Sequence, residues 1–227
     1  MSIKIQQLGR VNYPDTWQAM KDFTEARQDS TPDEIWVCEH DPVYTLGLAG
    51  DPSHLLQSSH IPLVKTDRGG QITYHGPGQL VVYPLLDLKR YNLKVREYVQ
   101  LLEQVIIDSL VALGLNDAQR KPDAPGVYIG WNQSLKKREA LPTGQLAKIA
   151  ALGIKIRKGC TYHGLSLNIE MDLTPFTWIN PCGYSGLETV DLFGAGVKIS
   201  FNEMQLHIVK LLIEKLQALK PKAVESN

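Results

Sequence analysis

In a chain of 227 residues, a few side chains combine type and surroundings in a way that supports chemistry. Cys182 lies in Ile179-Asn180-Pro181-Cys182-Gly183-Tyr184. Pro181 fixes the backbone before the thiol and Gly183 leaves it uncovered, so a thiol is expected at a rigid turn whose backbone N–H groups would stabilise an oxyanion. The competing reading is a buried, inert cysteine, because free cysteine is commonly a small core hydrophobe. A thiol at its reference pKa of about 8.5 is only a few per cent ionised at pH 7, so a nucleophile needs a cation or a base. Lys148, His75 and His163 are the candidates. Lys148 interrupts the apolar run Ala147-Lys148-Ile149-Ala150-Ala151-Leu152-Gly153, where a lysine is costly unless it lies at a sheet edge, is paired, or serves chemistry. His163 reads equally as a satisfied structural histidine. Cys160 and His163 have a spacing open to a metal, but no second close ligand pair accompanies them. Cys38, between Val37 and Glu39 in an apolar strand, reads as core.

A second dense stretch is Asp67-Arg68-Gly69-Gly70-Gln71-Ile72-Thr73-Tyr74-His75-Gly76-Pro77-Gly78-Gln79. Its glycines let the backbone approach a ligand closely, and Arg68, Gln71, Thr73, Tyr74 and His75 bring donors and acceptors to it. It is not a P-loop, since no Gly-Lys-Ser/Thr follows, and the glycine spacing is wrong for a dinucleotide fingerprint. An ordinary loop rich in turns is the alternative.

These groups need elements to hold them. Asp15 to Arg27 reads as a helix capped by Asp15, with Gln18 at the box position and Trp17, Met20 and Phe23 as its apolar stripe. Ile35 to Glu39, Val43 to Leu46, Leu63 to Lys65 and Gln79 to Leu88 read as strands, with Pro84 marking an edge or a break in the ladder. Val95 to Leu113 is the clearest helix, lined by Tyr98, Leu102, Val105, Ile106 and Leu113 and ended by Gly114. Gly126 to Gly130, Lys148 to Ile156 and Gly164 to Glu170 are strand-like. The segment 131–147 reads as a long solvated hairpin loop. Ser200 and Glu203 form a capping box for a last helix through Leu219, and residues 220–227 read as a frayed tail. Helices set apart from runs of strands favour a mixed α/β (α+β) fold on one core, in a single domain spanning 1–227, over a doubly wound parallel sheet.

Composition narrows the function classes. Apolar residues make up 43% and charged residues 21%, so a sizeable core is expected and global disorder is excluded. Lys+Arg and Asp+Glu are 24 each, which argues against nucleic-acid or membrane-surface binding driven by net charge. No stretch approaches the ~18 apolar residues of a membrane span, and the first residues lack the apolar core of a signal peptide. The 3 cysteines have no framework spacing, which points to a reducing cytosol.

Six segments, taken in order, resemble the lipoyl(octanoyl) transferases of lipoate biosynthesis. They are Asp33-Glu34-Ile35-Trp36, Arg68 through Gln79, Asp123-Ala124-Pro125-Gly126-Val127-Tyr128, Lys148 through Ile154, His163-Gly164-Leu165-Ser166-Leu167-Asn168 and Asn180-Pro181-Cys182-Gly183. The resemblance implies the fold of biotin and lipoate ligase catalytic domains, with one larger and one smaller sheet flanked by helices. It also implies an acyl-enzyme mechanism without a cofactor. Cys182 would carry octanoyl as a thioester, and Lys148 would lower the thiol's pKa. Arg68, Gly69, Gly70, Gln71, Ile72, Thr73, Tyr74, His75, Ala151, Leu152, Gly153, Gly164, Leu165 and Ser166 would line the substrate pocket, with His163 as an accessory. The connector between Gly130 and Lys148 is longer than the family commonly has.

The implied reaction has two steps. The Cys182 thiolate attacks octanoyl-acyl carrier protein, and a lysine amine of a lipoyl domain then attacks the acyl-enzyme. The implied partners are therefore octanoyl-acyl carrier protein, the lipoyl domains of 2-oxoacid dehydrogenase complexes and the glycine cleavage H protein. No nucleic acid, membrane or metal is expected, and a cytoplasmic monomer is. Because carrier proteins are acidic, Arg68, Lys155, Arg157 and Lys158 are candidates for a local basic face. An ATP-dependent lipoate or biotin ligase shares the fold without needing Cys182, and a non-catalytic acyl-binding module is the rival of a different class.

Overall fold

A computed structural model describes residues 3–139, 143–180 and 187–219 of the chain. Cys182 and the tail 220–227 lie outside the described residues. Among the described residues the elements run β1 (Lys4–Val11), α1 (Tyr13–Ala26), β2 (Glu34–His40), β3 (Val43–Leu46), β4 (Leu63–Lys65), β5 (Ile72–His75), β6 (Gln79–Leu85) and α2 (Val95–Ala112). There follow β7 (Gln119–Lys121), β8 (Ala124–Asn132), β9 (Lys137–Arg138), β10 (Gln145–Arg157), β11 (Cys160–Asn168) and α3 (Phe201–Leu219). The larger sheet has the order β1-β2-β6-β11-β10-β8-β7, with β9 paired to β8, and the smaller has the order β4-β3-β5. This is the mixed α/β architecture read from the sequence, with the larger and the smaller sheet that the resemblance implies.

Alternation on the central strands explains the layering. On β2, Ile35 and Val37 face one way, with Leu80 and Val82 of β6, into a core closed by Tyr98, Leu102, Val105 and Ile106 of α2 and Met204, Ile208 and Leu212 of α3. Trp36, Cys38, Val81, Tyr83 and Leu85 face the other way and meet Met20 of α1, with Trp17 and Phe23 beside it. Both faces of the sheet are thereby covered, at about 1.5–3 kcal/mol for each large apolar side chain buried.

Several boundaries differ from the sequence reading. Helix α1 is capped by Asn12, whose Oδ1 accepts the Asp15 N–H at 3.3 Å, so Asp15 lies in the first turn instead of capping it. Strand β1 was not foreseen: it is a largely exposed edge, paired parallel to β2, and offers no apolar alternation. Pro84 breaks a ladder and does not mark an edge, since β6 lies between β2 and β11. Pairing of β6 with β11 stops at Val82↔Leu165. Beyond it, Thr161 Oγ1 donates to Pro84 O at 2.6 Å and accepts the Leu86 N–H at 3.0 Å, closing the gap where proline has no donor. The segment 131–147 is not all loop: Trp131 and Ala147 are buried in the β8/β10 ladder, and β9 pairs with β8 within it. The Ser200–Glu203 capping box is present as read.

Candidate functional site

A cavity opens between the two sheets, lined by residues of β5 in the smaller sheet and of β6, β10 and β11 in the larger. Its lining includes Arg68, Gly70, Gln71, Ile72, Thr73, His75, Lys148, Ala151, Leu152, Gly153, His163, Gly164, Leu165 and Ser166, which segments far apart in sequence bring together. Gly69 and Tyr74 are not among the lining residues. The Gly69 N–H donates to Ile154 O at 3.0 Å, tying the loop to β10. Tyr74 turns into the small-sheet core, edge-on to Phe176 with ring centroids 5.5 Å apart. The lining also takes in Tyr13, Gln79, Tyr83, Asn168, Phe176 and Thr189, which sequence reasoning missed. Of these, Gln79 and Asn168 stood inside the quoted motifs, so a polar residue closing a glycine-rich segment was the signal available.

Lys148 is not at a sheet edge. Strand β10 lies between β8 and β11, and Lys148 is 4% exposed. Pairing of β10 with β11 begins only at Ala150↔Leu167. Before that point the segment after the cysteine motif takes over: the Lys148 N–H donates to Glu188 O at 2.8 Å, and the Val190 N–H donates to Lys148 O at 2.9 Å. The ammonium Nζ donates to Pro125 O at 3.1 Å and stands 5.2 Å from the Tyr128 ring centroid. A cation is thus kept inside an apolar wall on a carbonyl and an aromatic ring. At the other stem, the Asn180 N–H donates to His54 O at 2.9 Å.

Arg68 is buried, not on a surface. Its Nη2 donates to Thr45 O at 2.5 Å and to Gln71 O at 2.8 Å, and its Nε to Thr45 Oγ1 at 3.1 Å. It clasps the glycine-rich loop onto β3, and a Cβ at Gly153 would stand 2.9 Å from its Cδ. The expected basic face loses Arg68 on this count. Arg157 and Lys158 each pair with Glu25 at 2.7 Å.

His163 holds a left-handed backbone, φ 58°, inside β11 and opposite the Pro84 break. Its Nε2 donates to Asp67 Oδ1 at 2.9 Å; the same carboxylate accepts Trp17 Nε1 at 2.9 Å and the Tyr162 hydroxyl. Burial works to raise the Asp67 carboxyl, but these three donors outweigh it and hold the group well below the usual carboxylate range. Burial also lowers His163, against the pull of Asp67. The His75 Nδ1–H donates to Gln79 Oε1 at 2.6 Å, and burial together with neighbouring His40 brings its pKa down to about 3. A neutral His75 is therefore a fixed polar wall near pH 7. Cys38 is buried in the core, as read, and burial raises its thiol far above the reactive range.

A family model described as the lipoyl protein ligase A/B catalytic domain matches residues 12–210. A curated octanoyltransferase of Azoarcus sp. (strain BH72) is 55% identical over 213 residues, covering 92% of this chain and 87% of the relative. One of Bordetella parapertussis is 58% identical over 189 residues, with 83% and 81% covered. Among solved structures, a lipoate-protein ligase A bound with ATP superposes with a TM-score of 0.67 at 16% identity, over 96% of this chain and 86% of that one. A biotin protein ligase from Aquifex aeolicus in complex with biotin and ATP gives 0.53 at 13% identity, over 96% and 72%. At such identities these two structures speak to the fold alone.

Proposed function

The chain belongs to the lipoyl protein ligase A/B catalytic domain family and, within it, to the octanoyltransferases, and from that premise we propose that it moves octanoyl from an acyl carrier protein to a lipoyl-domain lysine through Cys182. The enzyme class, acyltransferase, follows from the relatives; the donor, the acceptor and the covalent route are the proposal. The observation that carries it is the buried Lys148 ammonium at the cavity wall, its own backbone bonded to the segment that follows Cys182.

The first step exchanges thioesters. The Cys182 thiolate adds to the octanoyl carbonyl, the tetrahedral oxyanion collapses, and the carrier's pantetheine thiolate leaves with a proton. In this reading Lys148 favours the thiolate as a cation and returns that proton to the departing thiolate. In the second step a lipoyl-domain lysine, as the free amine, attacks the acyl-enzyme, and Cys182 leaves as thiol. The product amide is more stable than the thioester consumed, so no ATP is needed. The apolar lining, with Ile72, Ala151, Leu152 and Leu165 among its residues, suits an eight-carbon chain and keeps water from the thioester. A cytoplasmic setting and the glycine cleavage H protein as a second acceptor belong to the same proposal. Among the described residues no helix is long and apolar enough to cross a membrane.

Intact-protein mass spectrometry after mixing with octanoyl-acyl carrier protein tests this. Wild type should gain one octanoyl group, labile to hydroxylamine and passed to a lipoyl domain without ATP. Cys182→Ala should gain none, and Lys148→Ala should gain it at least about 100-fold more slowly, the scale of a lost proton-transfer group. Transfer that appears only with free octanoate and ATP would replace this reading with the ligase, and octanoyl retained non-covalently without transfer would replace it with a binding module.

A further inference from the structure

One buried carboxylate lies outside the cavity and touches the candidate dyad only through the main chain. Glu103, on the inward face of α2, is 6% exposed. Its Oε1 accepts the Gly126 N–H at 3.1 Å, and its Oε2 accepts Arg120 Nε at 2.9 Å. The Gly126 nitrogen and the Pro125 carbonyl are the two ends of a single planar peptide unit. Lys148 Nζ donates to that carbonyl at 3.1 Å. One peptide dipole therefore lies between a carboxylate at its N–H end and an ammonium at its C=O end. Gly126 has φ 143°, and a Cβ there would stand 2.9 Å from Lys148 Cε and 2.7 Å from Ala150 O. The lysine stem therefore lies directly against this glycine. The Tyr128 hydroxyl, donating to Ala124 O at 3.0 Å, braces the same end of β8.

We propose that Glu103 is a positioning residue for Lys148, acting through the Pro125–Gly126 peptide. Without the carboxylate, the N–H end loses its acceptor and the peptide plane is free to rotate, which takes the carbonyl off the ammonium. With it, the two hydrogen bonds polarise each other in a low-dielectric setting, and the dipole is locked with its negative end on Nζ. Arg120, which also donates to Gln100 O and Gln104 Oε1, each at 2.9 Å, holds the carboxylate on its helix. The inference rests on the proposed role of Lys148 for its catalytic meaning, but its geometric content can be tested without catalysis.

Competitive acetylation of the full chain by trace acetic anhydride at fixed pH, read by peptide mass spectrometry, reports Lys148 against the exposed Lys210. In Glu103→Ala, Lys148 should be labelled at least about fivefold faster than in wild type with Lys210 unchanged, because the restraint on a buried amine is lost. Gly126→Ala should also move it, which shows that the assay senses this end of β8. In steady-state octanoyl transfer, Glu103→Ala should lower kcat about tenfold or more with KM within about twofold, the pattern of lost positioning, and Glu103→Gln should recover part of it because its amide oxygen still accepts the Gly126 N–H. Should Glu103→Ala not fold, Glu103→Gln gives the same readouts with smaller shifts. Labelling of Lys148 within twofold of wild type in the folded Glu103 variants, while Gly126→Ala moves it, would overturn the inference. A shifted Lys148 in Glu103→Ala, alongside wild-type transfer by Lys148→Ala, would instead sink the proposed catalytic role and leave the positioning intact.

Discussion

A lysine inside an apolar run signals either an edge or a function, and burial on an interior strand removes the edge. Lys148→Met should change folding stability by no more than about 1 kcal/mol in urea titrations, since relief of a buried ammonium offsets the carbonyl left without a donor, while acyl-enzyme formation nearly stops. Arg68 behaves otherwise, because its fork bonds Thr45, Gly69 and Gln71. Arg68→Lys should cost about 2–3 kcal/mol by the same titration, a point cation being unable to reach all of those acceptors. The sequence marks such residues by type. It does not mark Asp67 as the acceptor for His163, 96 positions away, or Glu103 as the acceptor for Gly126, since those partnerships exist only once the sheets and α2 are assembled.

At the scale of elements, periodicity carried the two long helices and the buried strands, where side chains face a core. It failed for β1, whose Lys4-Ile5-Gln6-Gln7 start is largely exposed and is held in the sheet by parallel pairing to β2. Proline chemistry gave the break at Pro84 but not its repair by Thr161, because a cross-strand hydroxyl leaves no trace in local sequence. The left-handed turn at His163 inside β11 was likewise invisible, and it is what places the imidazole against Asp67. Gly164, the next residue, has no room for a side chain: a Cβ would stand 2.1 Å from Val82 O. Gly164→Ala should lose about 3 kcal/mol or more of stability, measured by chemical denaturation, because the nearest atom is backbone of a central strand.

The molecule as a whole buries neutral imidazoles beside the cavity, and this sets its acid response. The His40 Nδ1–H donates to Val11 O at 3.0 Å, and burial brings its pKa down to about 4; His75 lies at about 3. An unfolded histidine takes a proton near pH 6.5, so between that pH and about 4 the unfolded chain binds protons that the native state refuses. Stability is full above about pH 6.5 and should fall as pH drops, by up to about 1.4 kcal/mol per pH unit for each histidine, before Asp67 loses its charge at lower pH. The fall of urea midpoints across this range should shrink in a variant with His40 and His75 replaced, leaving the share that His163 contributes. The junction at Lys148, where β10 exchanges one partner for another, has a consequence for timing. The Lys148 amide hydrogen is held by Glu188 O, whereas the register of its strand from Ala150 onward is shared with β11. In native-state deuterium exchange the Lys148 amide should therefore trade its hydrogen well before those of Ala151 and Gly153, which face β11, at the rate at which 188–190 lifts away. That one amide would then serve as a clock for how often the cavity wall comes undone, readable without substrate and without turnover.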